Sequence, residues 1–293
     1  MPPRSLRLRP LDAFWLLGFV AVVVFVILHV RDGFEYKSNW SAIPQFMFRH
    51  DPETGWWVPN YLVQGLLTTL KLSFWALIPA TALGVVIALF RTSRSLFLRL
   101  VGRTFVELVR NVPPLVLIFL FYFFFLGLVL PLIGFETLVR QLPREVLAVT
   151  EVLFAEQSRL VQFVSGVVTL AFFEAAYIAE ILRGGMESIE RSQKEASYSL
   201  GLSWIDELRF IILPQAFRRQ LPALTNEYIN TVKYSSIASV VSIQELTFMG
   251  RQAVAASRQL FEVWITVALL YLILTLSLSL VARRFERSWR GSN

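Results

Sequence analysis

Five polar residues stand where a very apolar chain would be expected to exclude them: Glu180, Asn226, Glu227, Asn230 and Lys233. Asn226, Asn230 and Lys233 follow i, i+4, i+7 spacing, which puts side chains on one face of a helix. Two amides and a cation in a row can hold a polar solute by hydrogen bonds and charge. The same groups can also tie one helix to another, and both readings stand for all five. Lys71, Glu107 and Glu174 read as packing or surface groups. Catalysis has little to work with, so neither a catalytic nor a metal-binding residue is assigned. The chain has no cysteine and only two histidines, His29 and His50, which excludes thiolate chemistry and a histidine metal cluster. No carboxylate pair in a hydrolase setting and no nucleophile elbow stands out.

The elements that must position these residues are membrane helices. Of 293 residues, 55% are hydrophobic and 17% charged, and several apolar runs reach the roughly 20 residues needed to cross a hydrocarbon core. A formal charge of +7 could suggest nucleic acid, but the basic residues cluster beside apolar runs, so the lipid bilayer is the expected partner. The apolar runs predict an all-α integral membrane protein with about six transmembrane helices, at residues 14–30, 61–90, 105–133, 160–182, 221–241 and 261–282. Arg4, Arg7 and Arg9 precede the first, which lacks a small-x-small cleavage site and is read as retained. Pro113 and Pro114 predict a kink or a helix start. The FYFFF run is expected to face lipid. Residues 31–60 are polar, and residues 134–159 predict one or two surface helices. Seventeen Lys and Arg fall on one side of this topology against eight on the other, which predicts cytoplasmic termini.

Between the fourth and fifth spans lies a charged loop, residues 183–219, containing KEASYSLGLSWIDELRFIILP. Ser192 and Glu195 have capping-box spacing. Gly201 is a natural left-handed terminator, Ser203 a second cap, and Pro214 predicts a bend where the chain re-enters the membrane. The outcome is helix, turn, helix. Its apolar side chains, Tyr198, Leu200, Leu202, Trp204 and Phe210, need either the lipid interface or a partner groove.

This segment resembles the signature loop of permease subunits of ATP-binding-cassette importers. Glu195-Ala196-Ser197, then Gly201, then Ile211-Ile212-Leu213-Pro214 match its E-A-A, glycine, I-x-L-P spacing, with serine in place of the third letter. Glu174-Ala175-Ala176 spells that opening outright but lacks the glycine and proline. VELVRNVPPLVLIF, AYIAEILRGGMESI and FEVWITVALLYLIL are similar to the polar amino-acid group of these permeases.

The resemblance implies a type I importer fold, with a five-helix core over residues 61–285, an N-terminal helix and polar segment over 1–60, and a tail over 286–293. It makes Glu195, Ala196, Ser197, Gly201, Ile211, Leu213 and Pro214 the elements of a coupling helix docked on a cytoplasmic ATPase. This chain has no G-x-x-x-x-G-K-[ST] loop, so ATP and Mg are expected on the partner and no cofactor on this chain. Expected partners are two ATPase copies, a second permease, identical or paralogous, and a solute-binding protein meeting residues 31–60 and 134–159. The cargo would be a polar amino acid or a related nitrogen compound, crossing a bacterial inner membrane. The competing reading is an ion-coupled carrier with Glu180, Glu227 or Lys233 as its relay. Carriers often show internal repeats, and no repeat of the signature loop occurs.

Overall fold

A computed structural model describes residues 10–33 and 38–290. Arg4, Arg7, Arg9 and the last three residues of the tail lie outside them. The chain divides into two units, one up to Trp40 and one from Ser41 onward. The first contains helix α1, Pro10–Gly33, over the first predicted span.

The second unit opens with α2, Ile43–Met47, and an antiparallel hairpin of β1, Phe48–His50, and β2, Trp57–Pro59, with Arg49 opposite Val58. Helix α3, Tyr61–Thr92, follows, then α4, Leu96–Asn111, and α5, Pro114–Leu132. The surface segment forms α6, Phe135–Arg140, and α7, Arg144–Leu153. Next come α8, Gln157–Glu187, the short α9, Arg191–Ser199, and α10, Leu213–Tyr234. The chain ends with α11, Leu246–Ser257, and α12, Leu260–Arg290. Among the described residues four helices are long and apolar enough to cross a membrane: α3, α5, α8 and the Leu260–Arg284 part of α12.

Two predicted spans shift. The third begins at Pro114 rather than at residue 105, because residues 96–111 form a separate amphipathic helix. α4 buries Gly102, Val106 and Val109 and exposes Phe97, Leu100 and Leu108. Pro114 sits in the first turn of α5, where a missing N–H removes no helix bond. The fifth span starts earlier than residue 221, and at Ser235 it tightens into 3-10 turns through Val241. The aromatic run divides as well: Phe123 and Phe124 are exposed, while Phe121 stacks on Phe172 of α8 at 4.3 Å.

The core is the α3–α8 seam. Ala76, Ala80, Gly84 and Ala88 recur every fourth residue along α3 and are all buried. Ala171, Ala175 and Ala179 do the same on α8. Small side chains at this period let two membrane helices approach closely, where dispersion between backbones replaces the hydrophobic effect. The fit is tight: a Cβ on Gly84 would lie 2.6 Å from Ile178 Cγ2 and 3.2 Å from the Ala175 carbonyl oxygen.

Candidate functional site

The signature loop folds as helix, turn, helix. α9 ends in a Schellman arrangement: the Leu202 N–H donates to the Ser197 carbonyl at 3.2 Å and the Gly201 N–H to that of Tyr198 at 3.0 Å. Gly201 adopts φ +72° with open space around it, so the turn requires its backbone freedom rather than its small volume. Ser203 then caps the next helix, its Oγ accepting from the Asp206 N–H at 3.2 Å.

Two details depart from expectation. Ser192 is not the cap of α9, because the helix begins two residues earlier than such a cap would set it, with Glu190 at the cap position. Ser192 is therefore already helical and donates to Glu190 Oε2 at 3.2 Å, while Glu195 Oε1 accepts from Arg191 Nε at 2.8 Å. Nor does the second helix end before the membrane, because Pro214 does not interrupt it. A short helix, Trp204–Asp206, passes through π turns at Glu207–Ile212 directly into α10. The Leu213 N–H reaches back five residues to Leu208, and this wider turn absorbs the donor that Pro214 lacks without breaking the helix.

The loop presents two faces. Ser197, Leu208 and Ile212 are buried against the rest of the chain. Tyr198, Leu200, Ile205 and Phe210 are strongly exposed, as are Glu195 and Ala196. Pro214 is exposed, with Ile211 and Leu213 half-buried. The Ser197 hydroxyl donates to the Lys194 carbonyl at 2.7 Å, so serine occupies a small buried site without leaving its oxygen unpaired. Beside the loop runs a groove with Arg91, Arg94, Arg99 and Lys194 among its lining residues, together with Glu187 and Glu207.

The polar residues of the spans separate into two groups. Glu180 is held by cations: Arg91 from the end of α3, Arg183 Nη2 at 2.5 Å, and Arg110 Nη1 at 4.0 Å. Glu227, Asn230 and Lys233 instead form a relay along α10. Lys233 Nζ donates to Asn230 Oδ1 at 3.1 Å, and Asn230 Nδ2 to Glu227 Oε2 at 3.3 Å. Asn226 is exposed one residue before Glu227.

Glu174 belongs with the second group. It is fully buried in α8 and stands against Glu227 and Thr231 of α10. Nothing in its spacing signalled this, since a lone carboxylate in a span does not say which neighbour it meets.

A further carboxylate escaped the sequence reading. Glu245, fully buried, caps α11 by accepting from the N–H groups of Thr247 at 2.9 Å and Phe248 at 2.8 Å. The Tyr271 hydroxyl of α12 donates to it at 2.6 Å. An anion at a helix N-terminus with three donors is well satisfied, which marks Glu245 as a structural anchor. Among the described residues no cluster of three His, Cys, Asp or Glu side chains could hold a metal ion.

Comparison with known proteins gives a consistent picture. The family described as binding-protein-dependent transport system inner membrane component matches residues 80–291. The glutamine transport system permease protein GlnP of Escherichia coli strain K12 is 32% identical over 254 residues, covering 87% of this chain and 97% of the relative. The arginine transport system permease protein ArtQ of Bacillus subtilis strain 168 is 28% identical over 233 residues, covering 80% and 94%. Among solved structures, an amino acid ABC transporter with histidines aligns with a TM-score of 0.61 at 32% identity, over 78% of this chain and 94% of that one. The MetNI methionine ABC transporter shares the fold, with a TM-score of 0.55 at 20% identity over 78% and 95%.

Proposed function

The chain belongs to the binding-protein-dependent transport system inner membrane components, and on that premise we propose that it is the permease subunit of an ATP-driven amino-acid importer. The observation that carries this reading is the loop from Arg191 to Pro214. It projects exposed apolar side chains from a membrane helix bundle while its buried face is locked to that bundle. Such a surface suits a groove on a partner protein. Glu195, Ala196, Gly201, Ile211, Leu213 and Pro214 make up this docking element, with Ser197 as its buried footing.

Two ATPase subunits supply the ATP and Mg chemistry, and a second permease, identical or paralogous, completes the membrane part. A solute-binding protein delivers cargo to the side bearing residues 31–60 and 134–159, and both termini face the cytoplasm. Glu227, Asn230 and Lys233 line the path, with Asn226 at its edge. Relatives named for glutamine and arginine transport support an amino-acid cargo.

The test is uptake in cells or proteoliposomes containing the full complex. Uptake that collapses on ATP depletion with the proton gradient clamped supports the importer. Uptake that persists supports an ion-coupled carrier. Glu195→Arg or Gly201→Asp is expected to abolish ATP-driven uptake, and full assembly with full uptake in both variants would overturn the docking role.

A further inference from the structure

The groove beside the loop is a cleft of about 520 Å³. Its walls come from three places: Arg94 just beyond α3, Arg99 of α4, and Lys194 with the buried Leu208 and Ile212 of the loop. Of the four cations that line it, Arg91 is spent on Glu180. Arg99 Nη1 donates to the carbonyls of Ser93 and Arg94, both at 3.1 Å, which holds the guanidinium in place without neutralising it. Arg94 and Lys194 form no ion pair among the described residues. Of the two carboxylates in the lining, Glu187 is paired with Arg183, which leaves Glu207. Three unneutralised cations against one carboxylate make the cleft positive, so it suits an anion.

The surface assigned to the ATPase is not the lining of this cleft, because Tyr198, Leu200, Ile205 and Phe210 contribute nothing to it. The neighbouring helix says what kind of anion fits. At 16 residues α4 is about 24 Å long, short of a hydrocarbon core, and Arg103 pairs with Glu107 in its middle. It therefore lies at the membrane face, between the end of α3 and the start of α5. Phe97, Leu100, Val101 and Leu108 are exposed and fall within about 100° of arc, turned away from the buried Gly102, Val106 and Val109. A bare apolar stripe beside charged residues is the pattern of a helix seated at headgroup level. Arg99 stands two residues beyond Phe97, so the stripe and the cleft adjoin.

We infer that the cleft takes the phosphate of an anionic phospholipid whose acyl chains run along the stripe from Phe97 to Leu108. Guanidinium and ammonium groups are the donors that phosphate oxygens favour, and basic pockets between membrane helices suit such headgroups. A zwitterionic headgroup brings its own ammonium into a positive cleft and gains less. A phosphate bonded to Arg94 and Arg99 on one wall and to Lys194 on the other ties the α3–α4 turn to the loop that carries the docking surface. Lipid composition thereby sets how firmly that loop is held.

The experiment places the purified permease–ATPase complex in nanodiscs of phosphatidylcholine, with or without phosphatidylglycerol, and counts retained lipids by native mass spectrometry. Phosphatidylglycerol is expected to be retained in preference to phosphatidylcholine, and the double variant Arg94→Gln, Lys194→Gln to lose about fivefold of that preference per cation removed. Arg94→Lys is expected to keep it. Hydrogen exchange over residues 191–199 is expected to slow with phosphatidylglycerol in the wild type and not in the double variant. Equal retention of the two lipids, or an unchanged preference in the double variant, overturns the inference. So does inorganic phosphate that slows the exchange as much in discs of phosphatidylcholine alone, because the cleft then serves a free anion. Should the double variant fail to assemble, Arg94→Gln alone, at an exposed position, decides. Lipid retention requires no transport, so a complex that retains phosphatidylglycerol but imports no amino acid sinks the importer reading and leaves this inference standing.

Discussion

Arg91 and Glu180 form an ion pair that joins the end of α3 to α8, and Arg183 closes on the same carboxylate from its own helix. The side chains of Arg91, Glu180 and Arg183 are 16%, 27% and 25% exposed, between a surface bridge and a buried one. Glu180→Gln removes the charge both arginines share, and a loss of about 1–3 kcal/mol is expected after allowing for solvent screening. The check is the thermal midpoint of the complex in detergent, where no shift would refute it. Cargo preference is expected to stay unchanged, because Glu180 is committed to these cations.

Gly201 tests the turn. Nothing lies within reach of a Cβ there, so Gly201→Ala is penalised only by its left-handed backbone, about 1–2 kcal/mol confined to the loop. Gly201→Asn, which tolerates that conformation, is expected to retain ATP-driven uptake better than Gly201→Val. Hydrogen exchange over residues 191–203 gives the independent measure: protection of the Leu202 amide falls in the valine variant and survives in the asparagine one.

Ser197 tests the footing. It is 1% exposed, so volume rather than polarity limits the position. Ser197→Ala is expected to be within about 0.5 kcal/mol of wild type, because the hydroxyl's local bond to Lys194 is lost together with the group that needs it. Ser197→Leu overpacks the contact, at about 1–3 kcal/mol, and should weaken co-purification of the ATPase. Equal behaviour of the two variants would refute this placement.

Glu245 tests the anchor between α11 and α12. Glu245→Ala strands two backbone donors and the Tyr271 hydroxyl in a fully buried site, for an expected loss of about 2–4 kcal/mol. Glu245→Gln keeps an acceptor and should recover most of it. Denaturation midpoints of the two variants, compared in the same detergent, settle the order.

The loop was legible in the sequence because its punctuation is local. Glycine at a left-handed position and serine before an acidic turn mean the same thing in nearly any context. That the helix runs on through Pro214 was not legible, because a π turn can widen to receive a proline, and that compensation depends on the preceding backbone rather than on residue type. The break before Pro114 was anticipated, yet the apolar residues of α4 joined smoothly to those of α5 and concealed that residues 96–111 are a separate helix. Helix α11 went unseen because glutamate is a weak signal for a helix cap. Glu174 could not be paired with Glu227 from sequence, since helix spacing fixes a side chain's face and not the neighbour across from it.

The unbroken passage from the loop into α10 gives the molecule a lever. From Trp204 to Tyr234 the backbone stays helical, through the π turns at Glu207–Ile212 and past Pro214 and Pro222. At about 1.5 Å per residue Glu227 lies roughly 33 Å from Ile205, so a tilt of only about 5° at the loop end swings it by roughly 3 Å. That displacement is the size of a hydrogen bond, enough to part the Glu227 carboxyl from Glu174 without unwinding a single turn.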